Sequence, residues 1–196
     1  DPKNLPFFLG YMDHLASQNI ACPTPISGRD GEALRSLCGR PAAIISFLKG
    51  MWPRRIHPEH CAELGEAMAR LHLAGEAFPL SLPNVLSVAG WRSLFEQCRD
   101  QADSVIDGLE DILESEISHL EAAWPEGLPT GIIHADLFPD NVFFLGNKLS
   151  GLIDFYFACN DFLVYDLAIC LNAWCFEPDV SFNVTKARLL ISGYQK

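Results

Sequence analysis

The amino-acid sequence predicts an α+β protein of two unequal parts. Strand signals gather in a short N-terminal stretch, helical periods dominate from Pro58 onward, and one hairpin interrupts the helices between Asn141 and Ile153.

The first helix is expected over Leu5 to Asn19. Phe8, Leu9, Met12 and Leu15 form its buried stripe, Pro6 suits its first turn, and Pro23 and Pro25 lie beyond its end. Asp30-Gly31 reads as a hairpin turn with Glu32 to Leu37 as the return strand. Ala42 to Leu48 is an almost continuous apolar run and is predicted as a strand, ended by Lys49-Gly50. From Pro58, the spacing of Cys61, Leu64, Met68 and Leu71 marks a helical face that runs to His72. The amphipathic stretch Trp91 to Trp124 is expected to hold two helices broken at Asp107-Gly108. Glu110, Asp111, Glu114 and Glu116 should lie on a solvated face. Gly131 to His134 reads as a short strand and Ala135 to Asp140 as a loop. Asn141 to Leu145 and Leu149 to Ile153 form a hairpin around Gly146-Asn147-Lys148. After an aromatic loop come an apolar helix, Val164 to Cys175, and a last helix near Thr185 to Ser192.

Composition narrows the function. The chain is 49% hydrophobic and 20% charged, as ordinary globular proteins are. Its net charge of −11, with only 14 Lys and Arg, argues against a nucleic-acid partner. Arg54-Arg55 is the one short basic cluster, read as solvated surface with a second use as donors to a carboxylate or phosphate. Seven scattered cysteines without a C-x-x-C pair suit small buried thiols in a reducing cytoplasm. The most apolar stretch, Gly151 to Phe176, is interrupted by Asp154, Asp161 and Asp166, so no membrane span is expected. His57-Pro-Glu-His60 offers two histidines and no third ligand, which is too few for a metal site.

The chemistry concentrates in His134-Ala-Asp136-Leu-Phe-Pro-Asp-Asn141 and, eighteen residues after Asp136, in Ile153-Asp154-Phe155. Phosphoryl transfer explains these residue types. An attacking hydroxyl needs a carboxylate to accept its proton, and a triphosphate needs magnesium, which takes hard oxygen donors. A hairpin that starts at Asn141 and ends at Asp154 sets an amide and a carboxylate at one edge, with Asp136 in the preceding loop facing the same cleft.

These motifs resemble the catalytic core of the aminoglycoside phosphotransferase-like branch of the protein-kinase superfamily. His134-Ala135-Asp136 and Asp154-Phe155-Tyr156 stand where protein kinases have His-Arg-Asp and Asp-Phe-Gly, and Asp166-Leu167-Ala168 matches as well. The resemblance implies a bilobal kinase-like fold that binds ATP and Mg²⁺. It implies Asp136 as base, Asn141 and Asp154 as magnesium ligands, His134 as a prop for the loop and Asp166 as its hydrogen-bonding support. Ser46, Phe47 and Leu48 would form the hinge against adenine, with Phe143 and Ile153 lining the pocket below; core packing would require the same apolar side chains. Residues 1–48 would then belong to the smaller lobe and hinge, and 49–196 to the catalytic lobe.

Further segments narrow the likeness. Leu5 to Leu9, Cys22 to Pro25, Gly39 to Ala42, Ser46 to Leu48, Ile153 to Ala158 and Asp166 to Phe176 look like the bacterial homoserine kinases of this kinase-like type. That resemblance implies L-homoserine as the small-molecule acceptor, a step towards threonine; Trp174 would border the substrate cleft or pack as a buried aromatic. Composition and spacing reach only a small-molecule kinase. They leave an aminoglycoside, choline or methylthioribose acceptor open, as well as a silent kinase-like binding module, although a silent domain has no chemical reason to keep Asp136, Asn141 and Asp154 together. The chain departs from the family at its start. No G-x-G occurs, Lys3 precedes the first helix instead of lying on a strand, and Asp13 is the only acid on that helix, which together with the absence of an initiator Met suggests a fragment truncated at both ends.

Overall fold

The computed structural model describes residues 2–196, so Asp1 of the expected first lobe lies outside the described residues. The chain divides into two compact units, one built from residues up to Leu82 together with Pro129–Lys196, the other from Pro83–Leu128.

In the larger unit, helix α1 (Leu5–Ser17) buries Phe8, Leu9, Met12 and Leu15 as its periodicity demands, with Phe7 and Tyr11 added. Strands β1 (Arg35–Leu37) and β2 (Arg40–Ala42) pair antiparallel across Cys38-Gly39. The hairpin therefore turns there and not at Asp30-Gly31; Arg35 instead pairs back onto the Asp30 carboxylate.

The expected strand Ala42 to Leu48 is not a regular strand. It is tied to the Thr24–Ile26 segment by a single bridge, Pro25 to Ile45, flanked by Ile26 N to Ile44 O at 2.8 Å and Ser46 N to Thr24 O at 2.9 Å. The ladder stops for want of donors. Pro23 and Pro25 have no N–H, and the Thr24 N–H goes to the Ser46 hydroxyl at 2.8 Å.

Helix α2 (Pro58–Gly75) follows. Proline starts it without loss because the first-turn N–H has no helical partner, and the His60 ring accepts the His57 N–H at 3.1 Å. Its buried face, Cys61, Leu64, Met68 and Leu71, lies in the main core. Helix α6 (Val184–Tyr194) packs tightly on α2. Glycine permits this approach: a methyl on Gly65 would strike the Leu190 carbonyl, and one on Gly193 the Ala62 carbonyl.

The smaller unit holds α3 (Val88–Cys98) and α4 (Leu109–Ala123), with the break at Gly108, whose φ of 79° glycine adopts without strain. Asp111 and Glu116 are exposed, as a solvated face requires. Glu110 and Glu114, also partly exposed, form surface ion pairs: both with Arg99, and Glu114 also with Arg92 at 2.8 Å.

Beyond it, β3 (Thr130–Ile133) pairs antiparallel with β6 (Cys159–Phe162), a strand within what reads in sequence as an aromatic loop. Strands β4 (Val142–Leu145) and β5 (Lys148–Leu152) form the expected hairpin, with a register shift at Phe143/Phe144. Helix α5 (Leu163–Trp174) runs from the end of β6. All seven cysteines are free thiols; Cys38 and Cys98 are exposed, against the expectation of burial. Among the described residues no helix is long and apolar enough to cross a membrane.

Candidate active site

β3 delivers the chain into a tight loop, His134 to Asn141, that Asp166 organises. The Asp166 carboxylate, fully buried on α5, accepts the His134 N–H on Oδ2 and the Ala135 N–H on Oδ1, both at 2.8 Å. Ala135 sits at φ 62°, a left-handed conformation that costs an alanine energy, and the paired bonds from Asp166 hold it there. Oδ2 also accepts from His72 Nε2 at 3.0 Å, and the Tyr194 hydroxyl donates to His72 Nδ1 at 2.8 Å. Thus α2 and α6 both brace the carboxylate on α5.

The His134 ring ties the loop to the hairpin. Its Nε2–H donates to the Ile153 carbonyl at 3.0 Å, and the ring lies 4.6 Å from that of Phe155. Complete burial lowers its pKa, and Nδ1 has no hydrogen-bond partner among the described residues. From the far side, Trp174 Nε1 donates to the Leu137 carbonyl at 2.7 Å, which settles Trp174 as a fully buried anchor of the loop.

Asp136 is half-buried. Asn141 Nδ2 donates to both its backbone oxygen and its Oδ2 at 2.8 Å, leaving Oδ1 of each side chain free of protein hydrogen bonds among the described residues. Burial pushes the Asp136 pKa up, the Asn141 bond opposes this, and the charges of Asp154 and Asp140 add to the rise. Asp154 follows β5 in a left-handed conformation, φ 64° and ψ 61°, which turns the chain away from the strand just after Ile153. The Asn141 carbonyl accepts the Ile153 N–H at 3.0 Å, so the two ends of the hairpin stay side by side.

A cavity of about 430 Å³ opens beside these groups, lined among others by Ser46, Phe47, Leu48, Phe143, Ile153 and Asp154. None of the five expected adenine-site residues is fully buried, and Phe47 is 92% exposed. Core packing alone therefore does not account for them. Asp136 is not among the lining residues. The group can do the chemistry expected of it: an elevated carboxylate to take a proton, and amide and carboxylate oxygens of the hard kind magnesium prefers. No three His, Cys, Asp or Glu side chains gather as a metal cluster among the described residues.

Two members of this arrangement escape sequence reasoning. His72 reads there only as the end of a helical face, and Tyr194 lies beyond the predicted last helix; neither residue type nor spacing links them to Asp166.

The arrangement, a hydrogen-bonded loop carboxylate ahead of a two-stranded hairpin that ends in a second aspartate, is that of the kinase-like phosphotransferases. Among solved structures, an aminoglycoside-3'-phosphotransferase of type VIII superposes with a TM-score of 0.70 at 21% identity, over 97% of this chain and 72% of that one. The chain belongs to the phosphotransferase enzyme family, whose sequence profile matches residues 1–196. Curated relatives include a homoserine kinase of Paramagnetospirillum magneticum, 64% identical over 100% of this chain and 62% of the relative. One of Rhodospirillum rubrum is 62% identical over 100% of this chain and 61% of its own length. The chain thus spans about three fifths of the relatives it matches.

Proposed function

We propose that the protein carrying this chain is an ATP-dependent kinase whose acceptor is the hydroxyl of L-homoserine. The observation that carries the kinase reading is a single juxtaposition. Asp154 and the five adenine-site candidates line one cavity, while the hairpin that Asp154 ends begins beside Asn141, which holds Asp136. The choice of acceptor is supported by the curated relatives named above.

On this reading adenine lies between Ser46–Leu48 and the Phe143/Ile153 wall. Asn141 Oδ1 and the Asp154 carboxylate would hold Mg²⁺, which when bound neutralises phosphate charge. Asp136 accepts the acceptor's hydroxyl proton as that oxygen bonds to the γ-phosphorus, and the bond from the γ-phosphorus to the bridging oxygen breaks to release ADP. The raised pKa makes Asp136 a stronger base than an ordinary aspartate. His134 and Asp166 position the loop. Residues 1–48 serve the smaller lobe and hinge, 49–196 the catalytic lobe. The substrates are small and diffusible, in keeping with a cytoplasmic enzyme that needs neither nucleic acid nor membrane.

The test is ADP release by the complete gene product with ATP and Mg²⁺, with and without L-homoserine, and with choline, methylthioribose and an aminoglycoside as competing acceptors. Turnover dependent on L-homoserine is expected. Turnover that instead follows one of the other acceptors would refute the choice of substrate.

A further inference from the structure

A second groove, of about 680 Å³, is lined by Trp52, Arg54, Arg55, Pro139, Glu177 and Lys186 among others. Its charges are built in. The Lys186 ammonium, with the side chain only 5% exposed, pairs with Glu177 Oε1 at 2.7 Å, and Asn183 Nδ2 donates to the same oxygen at 2.7 Å. Oε2 of Glu177 makes no hydrogen bond among the described residues. Arg54 and Arg55 are exposed and enter no ion pair there, although Arg55 lies near enough to help keep Glu177 ionised. In a chain of net charge −11, three cations thus converge on a groove with one fixed anion. The groove also touches Pro139, three residues after Asp136 in the loop of the candidate base. Three residues span about 11 Å at most, so the Pro139 wall of the groove lies close to the candidate base.

We infer that this groove recognises the α-amino acid end of the acceptor, with the Arg54 and Arg55 guanidinium groups taking its carboxylate and Glu177 Oε2 its ammonium. The inference rests on the kinase reading above and deepens it. Arginine suits the carboxylate because its planar donors match two oxygens at once. Glu177 suits the ammonium because Lys186 and Asn183 hold it in place before the ligand arrives, so little ordering remains to be done on binding. A neutral or purely cationic alcohol would leave the two arginines facing nothing, which is how such a groove would discriminate against choline.

The experiment is steady-state kinetics of the complete gene product, as wild type and as the double variant Arg54→Ala/Arg55→Ala, with L-homoserine and with its methyl ester, which lacks the carboxylate charge. Removing one side of a charged contact predicts a rise in KM for L-homoserine of about 30-fold or more. KM for ATP should stay within about twofold and kcat within about threefold. The wild type should handle the ester poorly, and the variant should handle it no worse than the wild type does. An unchanged KM for L-homoserine in the variant overturns the subsite while leaving the kinase reading intact. Equal losses on acid and ester also overturn it, since the carboxylate would then not be what the arginines bind. Absence of L-homoserine turnover by the wild type overturns the proposed function and the subsite together.

Discussion

Asp166→Asn changes one oxygen to an amide at the point where the catalytic loop is fastened. Three donors converge on that carboxylate: His134 N–H and His72 Nε2 on Oδ2, and Ala135 N–H on Oδ1. An asparagine can keep its oxygen toward the pair or toward Ala135, and in either orientation its NH₂ faces a buried N–H. The better choice satisfies His134 and His72 and leaves Ala135 unpaired, at the residue whose φ of 62° depends on that bond. One orphaned buried donor costs about 1–3 kcal/mol, and the two surviving bonds lose their charge assistance. The sum is about 2–4 kcal/mol, or roughly 3–6 °C in Tm for a protein of the relatives' length. Asp166→Ala orphans three donors and should melt lower still. Differential scanning calorimetry of the complete gene product reads the stability, and single-turnover kinetics read the loop. kcat should fall in Asp166→Asn while KM for ATP holds, because the cavity lined by Ser46 to Leu48 does not include Asp166. Wild-type Tm and wild-type kcat in Asp166→Asn would refute the account of the loop as held by this carboxylate.

Asp136→Asn should lower kcat by about two to four powers of ten with ATP affinity little changed, since the base touches the hydroxyl and not the nucleotide. The same variant should melt higher than wild type at neutral pH. Burial and nearby carboxylates raise the folded pKa of Asp136, so its contribution to stability is full below the unfolded value of about 3.9 and is lost as pH rises through the folded value. The gain should shrink on acidification, and a Tm difference independent of pH would contradict it. Asp154→Asn should lose activity that added Mg²⁺ partly restores, whereas no magnesium concentration should restore Asp136→Asn. Identical magnesium titrations of the two variants would defeat the division between base and metal ligand.

Local chemistry is what sequence spacing makes legible. His134, Asp136, Asn141 and Asp154 lie within twenty-one residues, and the turn at Gly146 with apolar runs on either side specifies the hairpin that brings its ends together. Helices α1 and α2 are equally readable, because an apolar stripe of period 3.6 has only one way to reach a core. The same reasoning misled at Ala42 to Leu48. An apolar run reports burial potential, but a strand also needs a partner with free N–H groups, and the neighbouring segment offers prolines and a threonine already engaged by Ser46.

What only the tertiary structure decided is the set of long-range pairings. β6 contains Asn160 and Asp161, residues that disfavour strands, and it exists because β3 presents an open edge. His72 meets Asp166 across 94 positions and Tyr194 across 122, and no local period encodes such a meeting. The close approach of α2 and α6 that brings Tyr194 to His72 depends on two glycines, Gly65 and Gly193, whose lack of a side chain matters only once the other helix is beside them.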